Sequence, residues 1–111
     1  MSGTPSVLII DDDSVDRTAI SRVLRRCWPG LSVTECSDIA SGVDAMSQQP
    51  FDCVLLDWNL PDGTGESLLA SRPALSGPSV IVLTGEDGEE VGLRALRAGA
   101  EDYLLKGEVG A

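Results

Sequence analysis

Histidine is absent from this chain of 111 residues, and lysine occurs once, at Lys106. The absence of histidine excludes His-based general-base chemistry and histidine metal ligands, and any chemistry that needs an ammonium group must use Lys106. Basic residues are scarce as a class. The chain has 8 lysines and arginines and 18 acidic residues, which gives a formal net charge of −10. Direct binding to nucleic acid requires a basic face that neutralises phosphates, so we do not expect it of this chain.

The sequence also lacks a long apolar run and a signal-peptide pattern, so we expect no membrane insertion and a cytoplasmic location. Its three cysteines, Cys27, Cys36 and Cys53, are an odd number in apolar stretches, and we interpret them as small, reduced core residues. The length indicates a single domain. Residues 1–5 are small and polar and are interpreted as an N-terminal tail, which leaves residues 6–111 as the folded domain.

Short apolar runs alternate with amphipathic segments along the chain. The runs predict five strands, over residues 7–10, 31–36, 53–57, 80–84 and 103–105. Helices are predicted after Ser14 or Asp13, after Asp38 or Ser37, over residues 65–71 and over residues 89–98, with Gly99 as a C-cap. The apolar positions expected to face the core in the first two helices are Ala19, Ile20, Val23, Leu24, Cys27, Ile39, Val43 and Met46. This alternation is the pattern of a parallel sheet with helices on both faces.

Polar side chains follow the predicted strands at their carboxyl ends. Asp11 and Asp12 follow the first strand, Asp57 the third, Thr84 the fourth and Lys106 the fifth. In a doubly wound sheet these ends meet at one edge, where ligands bind. Three adjacent carboxylates raise one another's pKa unless a cation intervenes, and Mg²⁺ prefers carboxylate and carbonyl oxygens. A carboxylate can also attack phosphorus to give an aspartyl phosphate, with a metal and a lysine neutralising the phosphoryl oxygens.

Several motifs, in this order and spacing, resemble the receiver domain of the two-component response regulators, and D-W-N-L-P is similar to the CheY-like members. They are the pair Asp11–Asp12, the D-x-x-L-P-D-G-x-G turn from Asp57 to Gly65, the strand end at Thr84, and A-G-A-E-D-Y-L-L-K from Ala98 to Lys106. The resemblance extends over residues 7–106. It implies a flavodoxin-like, doubly wound sheet of five parallel strands in the order 2-1-3-4-5, and it makes residues 6–111 a receiver domain.

The resemblance also assigns roles at the strand ends. Asp57 would accept a phosphoryl group from a phosphohistidine on a sensor histidine kinase or a His-phosphotransfer protein. Asp11, Asp12, Asp57 and the main-chain carbonyl of Asn59 would hold Mg²⁺. Thr84 and Lys106 would bind the phosphoryl group. Such a domain catalyses only its own phosphorylation and dephosphorylation, and its output domain or partner protein would lie outside this chain.

The same resemblance implies a switch and its timing. Thr84 and Tyr103 would be the switch residues, changing the face near Tyr103 and the fourth helix at Gly92. Asn59 and Glu86 occupy the positions that tune the lifetime of the phosphorylated state, and this pair resembles the shorter-lived regulators.

Two features depart from the family pattern. Gly107 follows Lys106 where the family has a cis-peptide proline, and a non-proline cis bond costs about 3 kcal/mol. Only residues 107–111 follow Lys106, so we expect the last helix of the architecture to be absent or truncated, either because the chain is a fragment of a longer protein or because this helix was lost.

Other interpretations of these residues stay open at this point. A register shifted by one residue would make the acidic pair Asp12–Asp13, although Asp13 is also expected to cap the first helix or face water. Trp58 is expected to be partly exposed beside the site, and Trp28 to cover the end of the first helix. A degenerate receiver would be an interaction module only.

Two further alternatives come from other protein classes. A phosphohydrolase of the haloacid dehalogenase type needs a second aspartate two residues after the first, where this chain has Asn59. A flavodoxin-like FMN protein needs a loop rich in hydroxyl groups and glycine after the first strand, where this chain has three aspartates.

Overall fold

The structure is a computed structural model that describes residues 4–71, 77–85 and 88–108. Within these residues the elements follow in the order β1 (Ser6–Ile10), α1 (Ser14–Cys27), β2 (Ser32–Cys36), α2 (Ile39–Gln48), β3 (Cys53–Asp57), β4 (Asn59–Leu60), β5 (Gly63–Thr64), α3 (Gly65–Ser71), β6 (Ser79–Thr84), α4 (Gly88–Ala98), β7 (Asp102–Leu105) and a 3₁₀ turn (Lys106–Glu108). The predicted strands and helices agree with these bounds to within two residues.

Five of the strands form one parallel sheet in the order β2-β1-β3-β6-β7. Strands β6 and β7 are the fourth and fifth predicted strands, so the predicted doubly wound order is confirmed. The turn after β3 contains a small antiparallel ribbon, β4–β5, in which Asn59 pairs with Thr64 and Leu60 with Gly63. Strands of two residues are too short to show an apolar periodicity, which is why this ribbon could not be predicted from the sequence.

The central strands are apolar throughout because helices cover both faces of the sheet. Residues that alternate along each strand belong to two separate clusters. The larger includes Leu8, Ile10, Val54, Leu56, Val80 and Val82, together with Leu68 and Leu69 of α3 and Ala95 of α4. The smaller contains Ile9, Leu55 and Leu83 with Ile20 of α1. Packing on both sides fixes β1, β3 and β6 in place, and with them the positions of the polar residues at their ends.

Several predicted core positions in the helices are wrong. Ala19 and Cys27 of α1 are exposed, and so is Val43 of α2. The buried residues of α1 are Ile20 and Ser21. The buried face of this helix is therefore narrower than the apolar face predicted from its sequence. Cys27 is the last residue of the helix, beyond the turns that contact the sheet. All three cysteines are free thiols, as predicted.

One of the two tryptophans also differs from expectation. Trp58 is buried, with 5% of its surface exposed, although it was expected to be partly exposed. Its main-chain N–H donates to the carbonyl oxygen of Leu83 at 3.2 Å, which extends the pairing of β3 with β6 by one residue. Trp28 forms the C-cap of α1 but remains 57% exposed. In the described part of the chain, no helix combines the length and the apolar character that crossing a membrane requires.

Candidate phosphoacceptor and metal site

Three carboxylates lie together at the carboxyl ends of the two central strands. Asp57 is the last residue of β3, and Asp11 and Asp12 directly follow β1. One oxygen from each lies within 4.8 Å of the others. Asp11 is fully buried and Asp57 is 7% exposed, whereas Asp12 is exposed. Such a set of hard oxygen donors, open to solvent on one side, fits a hydrated Mg²⁺ ion.

Asp13 is excluded from this group by its role at the start of α1. Its carboxylate accepts hydrogen bonds from the main-chain N–H groups of Val15 at 2.8 Å and Asp16 at 3.2 Å, so it is the N-cap of the helix. Its own N–H donates to Oδ1 of Asp11 at 2.9 Å. The structure therefore favours Asp11–Asp12, rather than Asp12–Asp13, as the pair beside Asp57.

Lys106, the only lysine of the chain, brings an ammonium group into the same site. It follows β7, and its Nζ lies 2.8 Å from Oδ2 of Asp11 and 3.4 Å from Oδ1 of Asp57. A third carboxylate, that of Asp16 in the first turn of α1, lies 3.0 Å from Nζ. Asp16 was not among the site residues predicted from the sequence, because Lys106, its partner in space, is 90 residues away along the chain.

Burial and charge together set the protonation of this site. Burial, reinforced by the neighbouring Asp11, raises the pKa of Asp57 from 3.8 to about 6, although Lys106 acts in the opposite direction. Burial alone would lower the pKa of Lys106, but hydrogen bonds to Asp11 and Asp16 outweigh it and raise the pKa. At neutral pH the site therefore holds an ionised carboxylate in a poorly solvated position, beside a permanently charged lysine.

Thr84 and Tyr103 lie on β6, which pairs with β3, and on β7, the edge strand that pairs with β6. Thr84 ends β6, is 1% exposed, and donates a long hydrogen bond of 3.5 Å to the carbonyl oxygen of Leu104. Tyr103 of β7 is half-buried against α4. A Cβ atom added to Gly92 would lie 2.6 Å from the Tyr103 ring, so the absence of a side chain at Gly92 lets the helix approach this ring.

The turn after Asp57 is tied to α2. The carboxylate of Asp62 accepts hydrogen bonds from the N–H groups of Ile39 at 2.9 Å and Ala40 at 3.0 Å, and these bonds lower the pKa of Asp62. Asp38 also caps this helix, through the N–H of Ser41 at 2.8 Å. The sequence motif contained Asp62, but only the structure reveals its role as a second cap.

Close packing at Gly65 completes the turn. Its N–H donates to the carbonyl oxygen of Trp58 at 2.7 Å, and an added Cβ atom would lie 3.2 Å from both the carbonyl oxygen of Asp57 and the indole ring. The glycine thus lets α3 start directly against the strand end. Asn59 lies in the same turn, two residues after Asp57, and is exposed. Glu86 lies outside the described residues.

A charged side chain links the indole of Trp58 to α4. The guanidinium carbon of Arg94 lies 5.7 Å from the centroid of the Trp58 ring, and its Nη2 lies 2.9 Å from Oε1 of Glu66 in α3. A cation above the ring face is attracted by the ring quadrupole. Trp58 is therefore in contact with both the strand end and the helix that packs on Tyr103.

Lys106 begins a 3₁₀ turn that ends at Glu108. No peptide bond among the described residues is cis, so the Lys106–Gly107 bond is trans. An added Cβ atom at Gly107 would meet no heavy atom within 4 Å. Lys106 reaches the carboxylates with this trans bond in place.

Comparison with known proteins gives consistent matches. The family model for the response regulator receiver domain matches residues 7–109. A probable transcriptional regulatory protein, TcrX of Mycobacterium tuberculosis, is 35% identical over 102 residues, which cover 91% of this chain and 43% of the relative. The chain thus spans less than half the length of that relative.

Two solved structures extend the comparison to the fold. A CheY-like receiver domain protein from Methanospirillum hungatei is 28% identical, with a TM-score of 0.78 over 94% of this chain and 82% of that one. A response regulator from Burkholderia pseudomallei, solved with a phosphorylated aspartic acid, a calcium ion and citrate, is 25% identical, with a TM-score of 0.79 over 96% of this chain and 62% of that one.

Proposed function

Because this chain belongs to the response regulator receiver domain family, we propose that it is a phosphorylation-dependent switch in which Asp57 accepts a phosphoryl group from a phosphohistidine on a partner protein. The observation that carries the proposal is the position of Asp57, a nearly buried carboxylate that lies beside two further aspartates and 3.4 Å from the ammonium of Lys106. The phosphorylated aspartic acid in the similar Burkholderia pseudomallei regulator supports it.

The proposed reaction uses the ionised form of Asp57. A carboxylate oxygen attacks phosphorus, the P–N bond to the donor imidazole breaks, and its electron pair returns to the ring nitrogen, which takes a proton from solvent. Lys106 is placed to pair with the phosphoryl oxygens as charge shifts onto them. Because the pKa of Asp57 is about 6, the reactive carboxylate is the major form at neutral pH.

We propose that Asp11, Asp12, Asp57 and the main-chain carbonyl of Asn59 hold Mg²⁺. The bound ion would neutralise the negative charge of three carboxylates and an incoming phosphoryl group. The donor set supports this choice, since the three carboxylates already converge and Asp12 is exposed to solvent, where ordered water can complete the coordination.

The proposed switch runs from the phosphoryl group to α4. Among the described residues the Thr84 hydroxyl makes a long hydrogen bond to the carbonyl oxygen of Leu104, and it can exchange this bond for one to a phosphoryl oxygen. Its withdrawal would open space beside β7 for Tyr103, whose ring packs on Gly92 of α4. A shift of this helix between two populations would change the surface that a partner or an output domain contacts.

Asn59 and Glu86 are proposed to set how long the phosphorylated state lasts. They correspond to the family's tuning positions, and the pair is of the shorter-lived type. Replacing both residues should change the rate at which phosphorylated protein loses its phosphoryl group, measured after the donor is removed. An unchanged rate would remove these two residues from the proposal.

The proposed partners follow from the donor chemistry. A sensor histidine kinase or a His-phosphotransfer protein would supply the phosphohistidine, which is made from ATP, so we also propose a cytoplasmic location. The output would come from a partner protein or a domain outside this chain, which covers only 43% of the relative from Mycobacterium tuberculosis. Activity toward external phosphate esters is not expected, because Asn59 cannot act as a general acid.

The experiment that tests this function uses the indole next to the phosphoacceptor. In a Trp28→Phe background Trp58 is the only tryptophan, and its fluorescence is followed while Mg²⁺ and then beryllofluoride, a mimic of the phosphoryl group, are added. We expect a saturable change with beryllofluoride that requires Mg²⁺ and is absent in Asp57→Asn. A folded protein that responds to neither ligand would favour a degenerate receiver that acts only as an interaction module.

A further inference from the structure

Lys106 contacts three carboxylates, but only two of them belong to the candidate metal site. Asp11 and Asp57 are members of that group, together with Asp12. The third, Asp16, projects from the first turn of α1 and lies 3.0 Å from Nζ of Lys106. The side chain of Asp16 is 38% exposed and that of Lys106 is 20% exposed, so this pair lies at the mouth of the site.

A divalent cation at the proposed metal site would change the forces on Lys106. The negative charge of Asp11 and Asp57 would then be shared with the ion, while the ammonium would lie a few ångströms from a like charge. The attraction that holds Lys106 to these two aspartates would fall. Asp16, which lies outside the metal group, keeps its full charge for the lysine.

We propose that Asp16 is a positioning residue that keeps the Lys106 ammonium beside Asp57 while a divalent cation occupies the site. This inference rests on the proposed function, since Lys106 matters only if a phosphoryl group arrives at Asp57. In this proposal the attraction between Asp16 and Lys106 offsets the repulsion between the bound metal and the lysine. Both cations are then present when the phosphoryl group binds.

The surrounding structure suits Asp16 to this task. Its N–H donates to the Asp13 carboxylate, and the N–H of Asp13 donates to Asp11, so two hydrogen bonds connect the start of α1 to the metal site. On the other side, Gly107 is exposed and contributes no side chain, and a Cβ atom added there would meet no heavy atom within 4 Å. The position of the ammonium therefore depends on the carboxylates that it contacts.

The single lysine makes a direct test possible. In protein labelled with ¹³C-lysine, the two Cε protons of Lys106 give separate NMR shifts when the side chain is held and one averaged shift when it rotates freely. The wild type should keep separate shifts without metal and with saturating Mg²⁺. Asp16→Asn should keep them only without metal, because Asp11 and Asp57 then still hold the ammonium.

A matched variant controls for the loss of one negative charge. Glu101→Gln makes the same charge change at an exposed residue between α4 and β7, and it should behave like the wild type. Separate shifts in Asp16→Asn at saturating Mg²⁺ would overturn the proposal. An averaged shift in the metal-free wild type would also overturn it, since Lys106 would then not be held by the carboxylates at all.

A second measurement separates positioning from a direct effect of charge on the site. The affinity for beryllofluoride in saturating Mg²⁺ is compared for the wild type, Asp16→Asn, Lys106→Met and the double variant. We expect Asp16→Asn to weaken binding about fivefold when Lys106 is present, and to have no effect in the Lys106→Met background. An equal loss in both backgrounds would contradict the proposal.

The two measurements also separate this inference from the proposed function. The NMR measurement needs Mg²⁺ alone, and it shows whether the Lys106 side chain is held whether or not a phosphoryl group can bind. A wild type that binds no beryllofluoride, yet shows the expected lysine behaviour, would refute the phosphoryl switch and leave the Asp16 contact as a structural anchor. A wild type that binds beryllofluoride while Asp16→Asn keeps a fixed lysine would refute the inference alone.

Discussion

Replacing the phosphoacceptor should stabilise the protein at neutral pH. Asp57 is buried next to Asp11, and its pKa in the folded chain is about 6 against an ordinary 3.8. The gap of about 2 corresponds to about 3 kcal/mol by which the ionised carboxylate opposes folding. Asn has almost the same shape and no charge, so Asp57→Asn should raise the free energy of unfolding by about 3 kcal/mol near pH 8 in the absence of divalent cations.

The direction in which the stability difference changes with pH follows from proton linkage. Because the folded pKa of Asp57 lies above the unfolded one, the folded chain retains a proton that the unfolded chain has released, and the contribution of Asp57 to wild-type stability falls as the pH rises from about 4 to about 6. Above that window the difference between the wild type and Asp57→Asn should be constant. Below about pH 4 the carboxyl is neutral in both states, and the two proteins should be equally stable.

The assay is urea unfolding followed by far-UV circular dichroism, in EDTA, at intervals between about pH 4 and about pH 8. Glu101→Gln, an exposed charge neutralisation, is the control and should follow the wild type. Added Mg²⁺ should stabilise the wild type more than Asp57→Asn, because a ligand that binds the folded state raises its stability. An Asp57→Asn protein that is less stable than the wild type near pH 8, or a difference that does not vary with pH, would refute the account of this site.

Two further predictions concern the surroundings of the site. Gly92→Ala would place a Cβ atom 2.6 Å from the Tyr103 ring, so it should lower the free energy of unfolding by about 1–3 kcal/mol, whereas Gly30→Ala, which meets open space, should not; equal effects in urea unfolding would contradict this packing. Asp62→Ala removes the carboxylate that accepts two N–H groups at the start of α2, so amide hydrogen exchange should accelerate in the first turn of that helix. Unchanged protection there would show that Asp38 caps the helix alone.

The sequence could predict the sheet and its polar edge for a simple reason. Strands such as β3 are covered on both faces, so they are continuous apolar runs, and the first charged residue after each run marks the strand end. Asp11, Asp57 and Lys106 were located in this way, and the order of the strands then brought them to one edge. The strand order was given by the resemblance, and the structure confirms it.

The features that sequence reasoning missed depend on contacts between distant residues. Nothing near Asp16 indicates a partner, because Lys106 lies 90 residues away. Trp58 follows a strand end and precedes a polar turn, which suggests exposure, but the missing side chain at Gly65 lets α3 pack against the indole. Cys27 belongs to an apolar stripe, yet the end of α1 extends past the residues that face the sheet and leaves it in solvent.

The central claim, that Asp57 is the phosphoacceptor, is tested most directly by locating the modified residue. The protein is incubated with Mg²⁺ and acetyl phosphate and then treated with borohydride, which reduces an aspartyl phosphate to homoserine, and the peptides are sequenced by mass spectrometry. We predict homoserine at position 57, dependent on Mg²⁺ and absent from Asp57→Asn. Reduction at Asp11 or Asp12 instead, or no reduction in a folded sample, would contradict the claim.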